Sequence, residues 1–343
     1  MYQKVDDNSF SNTGKQLTDE EIQSACSLVT RVKDEVGKHV LGQEKLKDRL
    51  LIALIAKGHV LLEGVPGLAK TLSIRALAKA VEGTFSRIQF TPDLLPADIV
   101  GSEVYRPEEA KFIIRRGPIF ANFVLADEIN RAPAKVQSAL LETMQEHQAT
   151  IGDQSLLTPQ PFFVLATQNP LEQEGTYALP EAQIDRFMMK LVVGYPDAET
   201  EARILELVSS EETKNSLTPQ ISLADFDFIQ SVASRVYVDS RIRKYIVDLV
   251  TATRDLDRVL GRSNTGDRRL VELGASPRAS ISFFLASRAE ALIQGSRFVT
   301  PQIIKDLAHD ILRHRIILSY EAELEKITVE DLIDQLLSKI PVP

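Results

Sequence analysis

Residues 60–71 read Val60-Leu61-Leu62-Glu63-Gly64-Val65-Pro66-Gly67-Leu68-Ala69-Lys70-Thr71. Val60-Leu61-Leu62 is a short apolar strand, and the period over 72–81 is helical. Between them Gly64 to Thr71 spells G-x-x-x-x-A-K-T, in the strand–loop–helix setting that a phosphate-cradling loop requires. Free N–H groups at the start of the helix would point at anionic oxygens. Lys70 would reach β- and γ-phosphates as a point charge, and the Thr71 hydroxyl would complete a Mg²⁺ shell. Ala69 stands where a glycine is usual; alanine takes right-handed torsions readily, so the loop stands if φ there is negative. The candidate nucleotide-binding stretch is therefore Gly64, Val65, Pro66, Gly67, Leu68, Ala69, Lys70, Thr71 and Leu72.

Outward from this stretch the pattern alternates. Strands are expected over 86–90, 123–126, 162–166 and 191–193, with a helix over 134–147. Continuous apolar strands between amphipathic helices predict a parallel sheet covered on both faces. Asp127 and Glu128 follow the strand Phe123-Val124-Leu125-Ala126, at the carboxyl end where open α/β sheets bind ligands. Asp127 suits Mg²⁺, through water, and Glu128 suits orientation of an attacking water. The next strand runs into Asn169-Pro170, which is a plain turn or places Asn169 as a γ-phosphate sensor. Arg186, in Asp185-Arg186-Phe187, is a candidate arginine finger acting on a neighbouring subunit, the alternative being a structural salt bridge. Gly274-Ala275-Ser276-Pro277-Arg278 opens a helix with Ser276 as N-cap and Pro277 first in the helix. A cation at a helix start opposes the macrodipole, so Arg278 either has an anion beside it or is simply exposed.

At the amino end, 1–16 reads as a loose tail, Thr18 with Glu21 as a capping box, and helices over 18–39 and 44–57. After Tyr195-Pro196 only helical periods follow, over 197–208, 223–236, 240–257, 277–294, 301–313 and 328–339. The expected layout is a tail over 1–16, an α/β nucleotide-binding domain over 17–195 and a smaller all-α domain over 196–343. In 343 residues, 44% hydrophobic and 26% charged, there is room for two folded domains. The net charge of −8 argues against nucleic acid as a general partner. The single cysteine, Cys26, sits on an apolar helical stripe and reads as a buried small hydrophobe. No apolar run approaches the ~20 residues of a membrane span, and no signal peptide is evident, so a soluble, cytoplasmic protein is expected.

Taken in order, these motifs resemble the MoxR family of AAA+ ATPases, in its helix-2-insert branch. The resemblance runs over about 38–315 and rests on Val40-Leu41-Gly42-Gln43, Gly64 to Thr71, Leu125-Ala126-Asp127-Glu128-Ile129-Asn130-Arg131-Ala132-Pro133, Ala166-Thr167-Gln168-Asn169-Pro170, Leu179 to Phe187 and Gly274 to Arg278. It implies a P-loop core with a parallel sheet, followed by a small helical lid. It implies Walker A roles for Lys70 and Thr71, Walker B roles for Asp127 and Glu128, and sensor 1 at Asn169. It places the arginine finger at Arg186, sensor 2 at Arg278 and adenine contacts at Val40, Leu41 and Gly42. It tolerates Ala69, and reads 103–118 as the insert hairpin and 149–160 as a hairpin before sensor 1. ATP and Mg²⁺ are the implied cofactors. A homo-oligomeric ring, a hexamer, is implied, as is chaperone-like action on a protein partner, often one with a von Willebrand factor A domain and a metal site.

Three function classes remain in view: a ring ATPase that remodels or matures a protein partner, a nucleotide-gated scaffold of low turnover, and a DNA-associated motor. Every hydrolytic position is filled, which disfavours the scaffold. The acidic balance disfavours the DNA motor, although Lys111, Arg115 and Arg116 put positive charge in the insert. No Asn-Lys-x-Asp motif for reading guanine is present.

Overall fold

The computed structural model describes residues 17–64, 70–169, 177–209, 217–261 and 269–343. The expected tail at 1–16 and the residues Val65, Pro66, Gly67, Leu68 and Ala69 lie outside the described residues, as do residues 170–176, 210–216 and 262–268. Two helices lead, α1 (Asp19–His39) and α2 (Glu44–Ile55). The Thr18 hydroxyl accepts from the Glu21 N–H at 3.2 Å and the Glu21 carboxylate accepts from the Thr18 N–H at 3.0 Å, closing the capping box.

The strands and helices then alternate: β1 (Val60–Gly64), α3 (Lys70–Ala80), β2 (Phe85–Gln89), α4 (Pro96–Val100), β3 (Gly101–Arg106), β4 (Lys111–Arg116), β5 (Phe123–Asp127), α5 (Ala134–Glu146), β6 (Gln148–Ile151), β7 (Gln154–Leu157), β8 (Phe163–Gln168), α6 (Glu181–Ile184) and β9 (Met189–Val193). Five strands form one parallel sheet in the order β2-β5-β8-β1-β9. Two antiparallel hairpins, β3–β4 and β6–β7, stand outside it.

Alternation along the strands sorts side chains to two faces. Leu61, Val124, Ala126, Val164 and Ala166 join Val136, Leu140 and Met144 of α5 in one core. Val60, Leu62, Phe123, Leu125, Phe163 and Leu165 join a second core with α1, α2 and α3. That second core runs unbroken into the carboxyl-terminal helices through Phe226, Tyr245, Phe283, Ile304 and Leu336.

Those helices are α7 (Ala198–Ser209), α8 (Leu223–Ser234), α9 (Ser240–Ala252), α10 (Leu256–Val259), α11 (Pro277–Ile293), α12 (Pro301–Leu312), α13 (Tyr320–Leu324) and α14 (Val329–Lys339). The single helical period expected over 240–257 is interrupted by a 3₁₀ turn at Thr253–Asp255. There the buried Thr253 hydroxyl donates to the Val250 carbonyl and accepts the Ala275 N–H at 2.9 Å, which draws the chain out of register. The helical part also carries a short antiparallel ribbon, β10 (Val271–Leu273) with β11 (Ile317–Leu318), whose two to three residues are too few to leave a period in the sequence. Cys26 donates its S–H to the Leu292 carbonyl at 2.8 Å, and burial pushes the thiol up from its ordinary range. Among the described residues no helix is long and apolar enough to cross a membrane.

Candidate nucleotide site

The carboxyl ends of β1, β5 and β8 lie side by side, and the candidate residues sit there or one step beyond. Lys70 opens α3 and donates to the Gly64 carbonyl at the end of β1. Partial burial pushes its ammonium below the usual lysine range, against the opposing pull of the Asp127, Glu128 and Glu63 carboxylates. Glu63 is itself paired with Lys190 of β9 at 2.6 Å. Thr71 and Leu72 follow Lys70 in the first turn of α3, Thr71 half-buried and Leu72 exposed.

Register explains how Asp127 is held. Ala126 of β5 faces Ala166 of β8, which brings the next residues, Asp127 and Thr167, together. The buried Thr167 hydroxyl donates to Asp127 Oδ1 at 2.6 Å and accepts the Glu128 N–H at 2.9 Å. Glu128 itself has left the strand, with φ 57° and ψ 50°. A non-glycine residue in the left-handed region is strained, and such strain gathers where a side chain must be aimed. The turn that follows is stapled by Gln137, fully buried on α5, whose amide donates to the carbonyls of Ile129, Ala132 and Tyr177 at 3.0–3.2 Å.

Two residues of β2 complete this edge. Arg87 donates to Asp127 Oδ2 from Nη2 at 2.6 Å and Nε at 3.2 Å. Gln89 donates to Glu128 Oε2 at 2.7 Å, and Arg131 lies 3.3 Å from the same oxygen. Asn169, one residue past β8, is 7% exposed. Thr167, Gln137, Arg87 and Gln89 were all missed by sequence reasoning. The polar Arg87 and Gln89, two apart and so on one face of a strand, were the available signal.

Mg²⁺ fits this donor set. The Thr71 hydroxyl and the Asp127 carboxylate are hard oxygen donors at one edge, too few to cage an ion, and magnesium keeps waters and takes phosphate oxygens for the rest. Among the described residues no cluster of three His, Cys, Asp or Glu offers an all-protein metal site.

The candidate adenine segment lies between α1 and α2. Val40 is buried, and Gly42 has φ +67° with room for no side chain, since a Cβ would come within 2.7 Å of Thr200 Cγ2. Gln43 donates to the Gly194 carbonyl just past β9 at 3.1 Å, which ties this segment to the start of the helical part.

Of the two candidate arginines, Arg278 is held by Asp185 and Arg186 by α5. Asp185 Oδ2 accepts from Ser276 Oγ at 2.8 Å and lies 3.3 Å from Arg278 Nη1. Ser276 caps α11 as expected, accepting the Arg278 N–H at 3.1 Å. The anion beside Arg278 is thus a carboxylate of the same chain. Asp185 Oδ1 accepts from Arg315 Nε at 2.8 Å, and the buried Arg315 guanidinium also donates to the carbonyls of Asp185, Phe187, Met188 and Ile311. Arg186, the next residue, donates to the Leu141 carbonyl in the middle of α5 at 3.3 Å rather than to a carboxylate, and its Nε is buried without a hydrogen-bond partner among the described residues. Arg315 was also missed: its carboxylate partner, Asp185, is 130 residues away in sequence.

Residues 59–189 match the ATPase family associated with various cellular activities (AAA), and residues 264–336 match the AAA lid domain. The chain is 47% identical over 311 residues to the chaperone MoxR1 of Mycobacterium tuberculosis, covering 90% of this chain and 81% of that protein. It is 30% identical to the protein MoxR of Methylorubrum extorquens, covering 91% and 94%. A solved structure from Cytophaga hutchinsonii superposes with a TM-score of 0.88 at 47% identity, covering 94% of this chain and 97% of that one. With the parallel sheet, the paired carboxylates beyond β5 and relatives of this identity along most of its length, the chain belongs to the MoxR family of AAA+ ATPases.

Proposed function

We propose that the chain is a cytoplasmic, Mg²⁺-dependent ATPase that works as a homo-oligomeric ring, a hexamer, and spends hydrolysis on remodelling or maturing a protein partner. The partner is one that carries a von Willebrand factor A domain, and insertion of a metal or cofactor is one form that such maturation takes. Residues 17–195 bind the nucleotide and 196–343 form the lid. The observation that carries the reading is the convergence of the Lys70 ammonium with Asp127 and Glu128 at the carboxyl edge of the sheet.

In this reading Lys70 holds the β- and γ-phosphates, and Val40, Leu41 and Gly42 face the adenine. Thr71 and Asp127 hold Mg²⁺, which when bound neutralises phosphate charge. Glu128 orients a water in line with the γ-phosphorus and receives its proton. The new P–O bond forms as the bond from the γ-phosphorus to the bridging oxygen breaks, giving ADP and phosphate. Asn169 senses the γ-phosphate, while Arg186 and Arg278 stabilise the charge that develops on it, Arg186 from a neighbouring subunit. Positioning and charge account for most of such catalysis.

Two of the three basic residues that kept a nucleic-acid motor in view, Lys111 and Arg116, have partners on their own chain. Lys111 pairs with Glu109 at 2.5 Å, and the Arg116 guanidinium lies 5.5 Å from the centre of the Phe120 ring.

Steady-state phosphate release from Glu128→Gln tests the reading. ATP binding should persist while turnover falls about 100-fold or more. Unchanged turnover would remove Glu128 from the mechanism. Arg186→Ala should lose turnover and regain it in rings mixed with Glu128→Gln; failure of that complementation would leave Arg186 a structural residue.

A further inference from the structure

Asp127 has both oxygens engaged by its own chain. Oδ1 faces inward and accepts from the buried Thr167 hydroxyl. Oδ2 accepts two N–H groups from one Arg87 side chain, which uses both of its lone pairs. The two contacts differ in how easily they can be given up. Thr167 is 1% exposed and is also bonded to the Glu128 N–H, so it is locked in place. The Arg87 side chain is 50% exposed and leaves an edge strand, so water can replace its contacts at little cost. A dication approaching Asp127 from the phosphate side meets a carboxylate whose outer oxygen already carries a cation, and the two positive charges repel.

We propose that Arg87 is a displaceable cationic occupant of Asp127, which sets the metal concentration at which the nucleotide loads. The inference rests on the ATPase reading and deepens it, giving Arg87 a positioning role at the metal-bearing carboxylate. Metal and guanidinium compete for one oxygen, so by linkage each weakens the other by the same factor. Arg87 also donates to Gln89 Oε1 at 2.9 Å, and the Gln89 amide donates to Glu128. Departure of Arg87 therefore loosens one anchor of the side chain that holds the second carboxylate.

The test uses the full chain, wild type and Arg87→Ala, with saturating non-hydrolysable ATP analogue. Mn²⁺ is titrated in and the free ion is read by electron paramagnetic resonance. Arg87→Ala should half-saturate at about fivefold less Mn²⁺ than wild type, the upper end for a half-exposed ion pair. The gap should narrow as salt rises, because the pair is screened. Binding of the analogue in EDTA should change less than about twofold, since Arg87 is assigned to the carboxylate and not to phosphate. Equal or weaker Mn²⁺ affinity in the variant overturns the inference, as does a larger loss of analogue binding in EDTA, which would make Arg87 a phosphate ligand. Absence of saturable analogue binding in the wild type would instead overturn the ATPase reading, and the inference with it.

Discussion

Asp127 and Asp185 each bind arginine, yet the two carboxylates are built for different purposes. At Asp127 the guanidinium is half-exposed and rests on one oxygen. At Asp185 the Arg315 side chain is 1% exposed and is shared among the carboxylate and four main-chain carbonyls. A charge so placed has no water to return to, so its partners cannot be exchanged. The first carboxylate is therefore open to competition from a ligand. The second is a pin between the end of the α/β part and helices α11 and α12. Arg278, 47% exposed, sits on the same pin but at its wet side, and is the member free to leave.

The largest way to break this contrast is to remove the pin. Arg315→Ala should lower unfolding stability by about 3–5 kcal/mol, because it strands Asp185 and several buried carbonyls. Arg87→Ala should lower it by less than about 1 kcal/mol. Urea unfolding of both full-length variants reads the difference, and similar losses would erase the distinction between the two carboxylates.

Acid probes the pin next. His314, buried against Arg315, has its Nε2 3.1 Å from the Phe187 carbonyl. Burial, and then the Arg315 charge, hold its imidazole well below the ordinary histidine range. His59, buried beneath α5, is pushed down to about 4, chiefly by burial. Both rings take a proton more readily in the unfolded chain, so stability is full above the ordinary histidine value near 6.5 and falls as the pH drops below it. Each contributes about 1.4 kcal/mol per pH unit, and the His59 share levels off near pH 4. Thermal melts between pH 7.5 and 5 should show this decline, and His314→Gln should remove about half of it. A melt independent of pH would mean that neither ring stays neutral in the fold.

The smallest effect sharpens the wet side of the pin. Ser276→Ala removes the cap of α11 and one of the bonds to Asp185 Oδ2, and should cost about 1 kcal/mol. Arg315 keeps the helices docked, so the variant should melt lower while still unfolding in one transition. A second, earlier transition would show that Ser276 and not Arg315 joins the two parts.

How much of this was legible follows from distance along the chain. The caps at Thr18 and Ser276 involve residues three and two apart, and local chemistry suffices to read them. The paired carboxylates after an apolar strand were legible for the same reason. Thr167, Arg87 and Gln89 meet their partners some 40 residues away, and only strand order decides which strands are neighbours. The ribbon of β10 and β11 was hidden by its length.

By itself, then, the sequence determined the alternation of strands and helices, the acidic edge after β5 and the identity of each titratable group. Periodicity and side-chain chemistry are properties of neighbours along the chain. Which cation faces which carboxylate was left to the tertiary structure. Arg87 and Arg315 are alike as residues; one is displaceable and one is not, because sheet order leaves the first at an open edge and helix packing closes water away from the second.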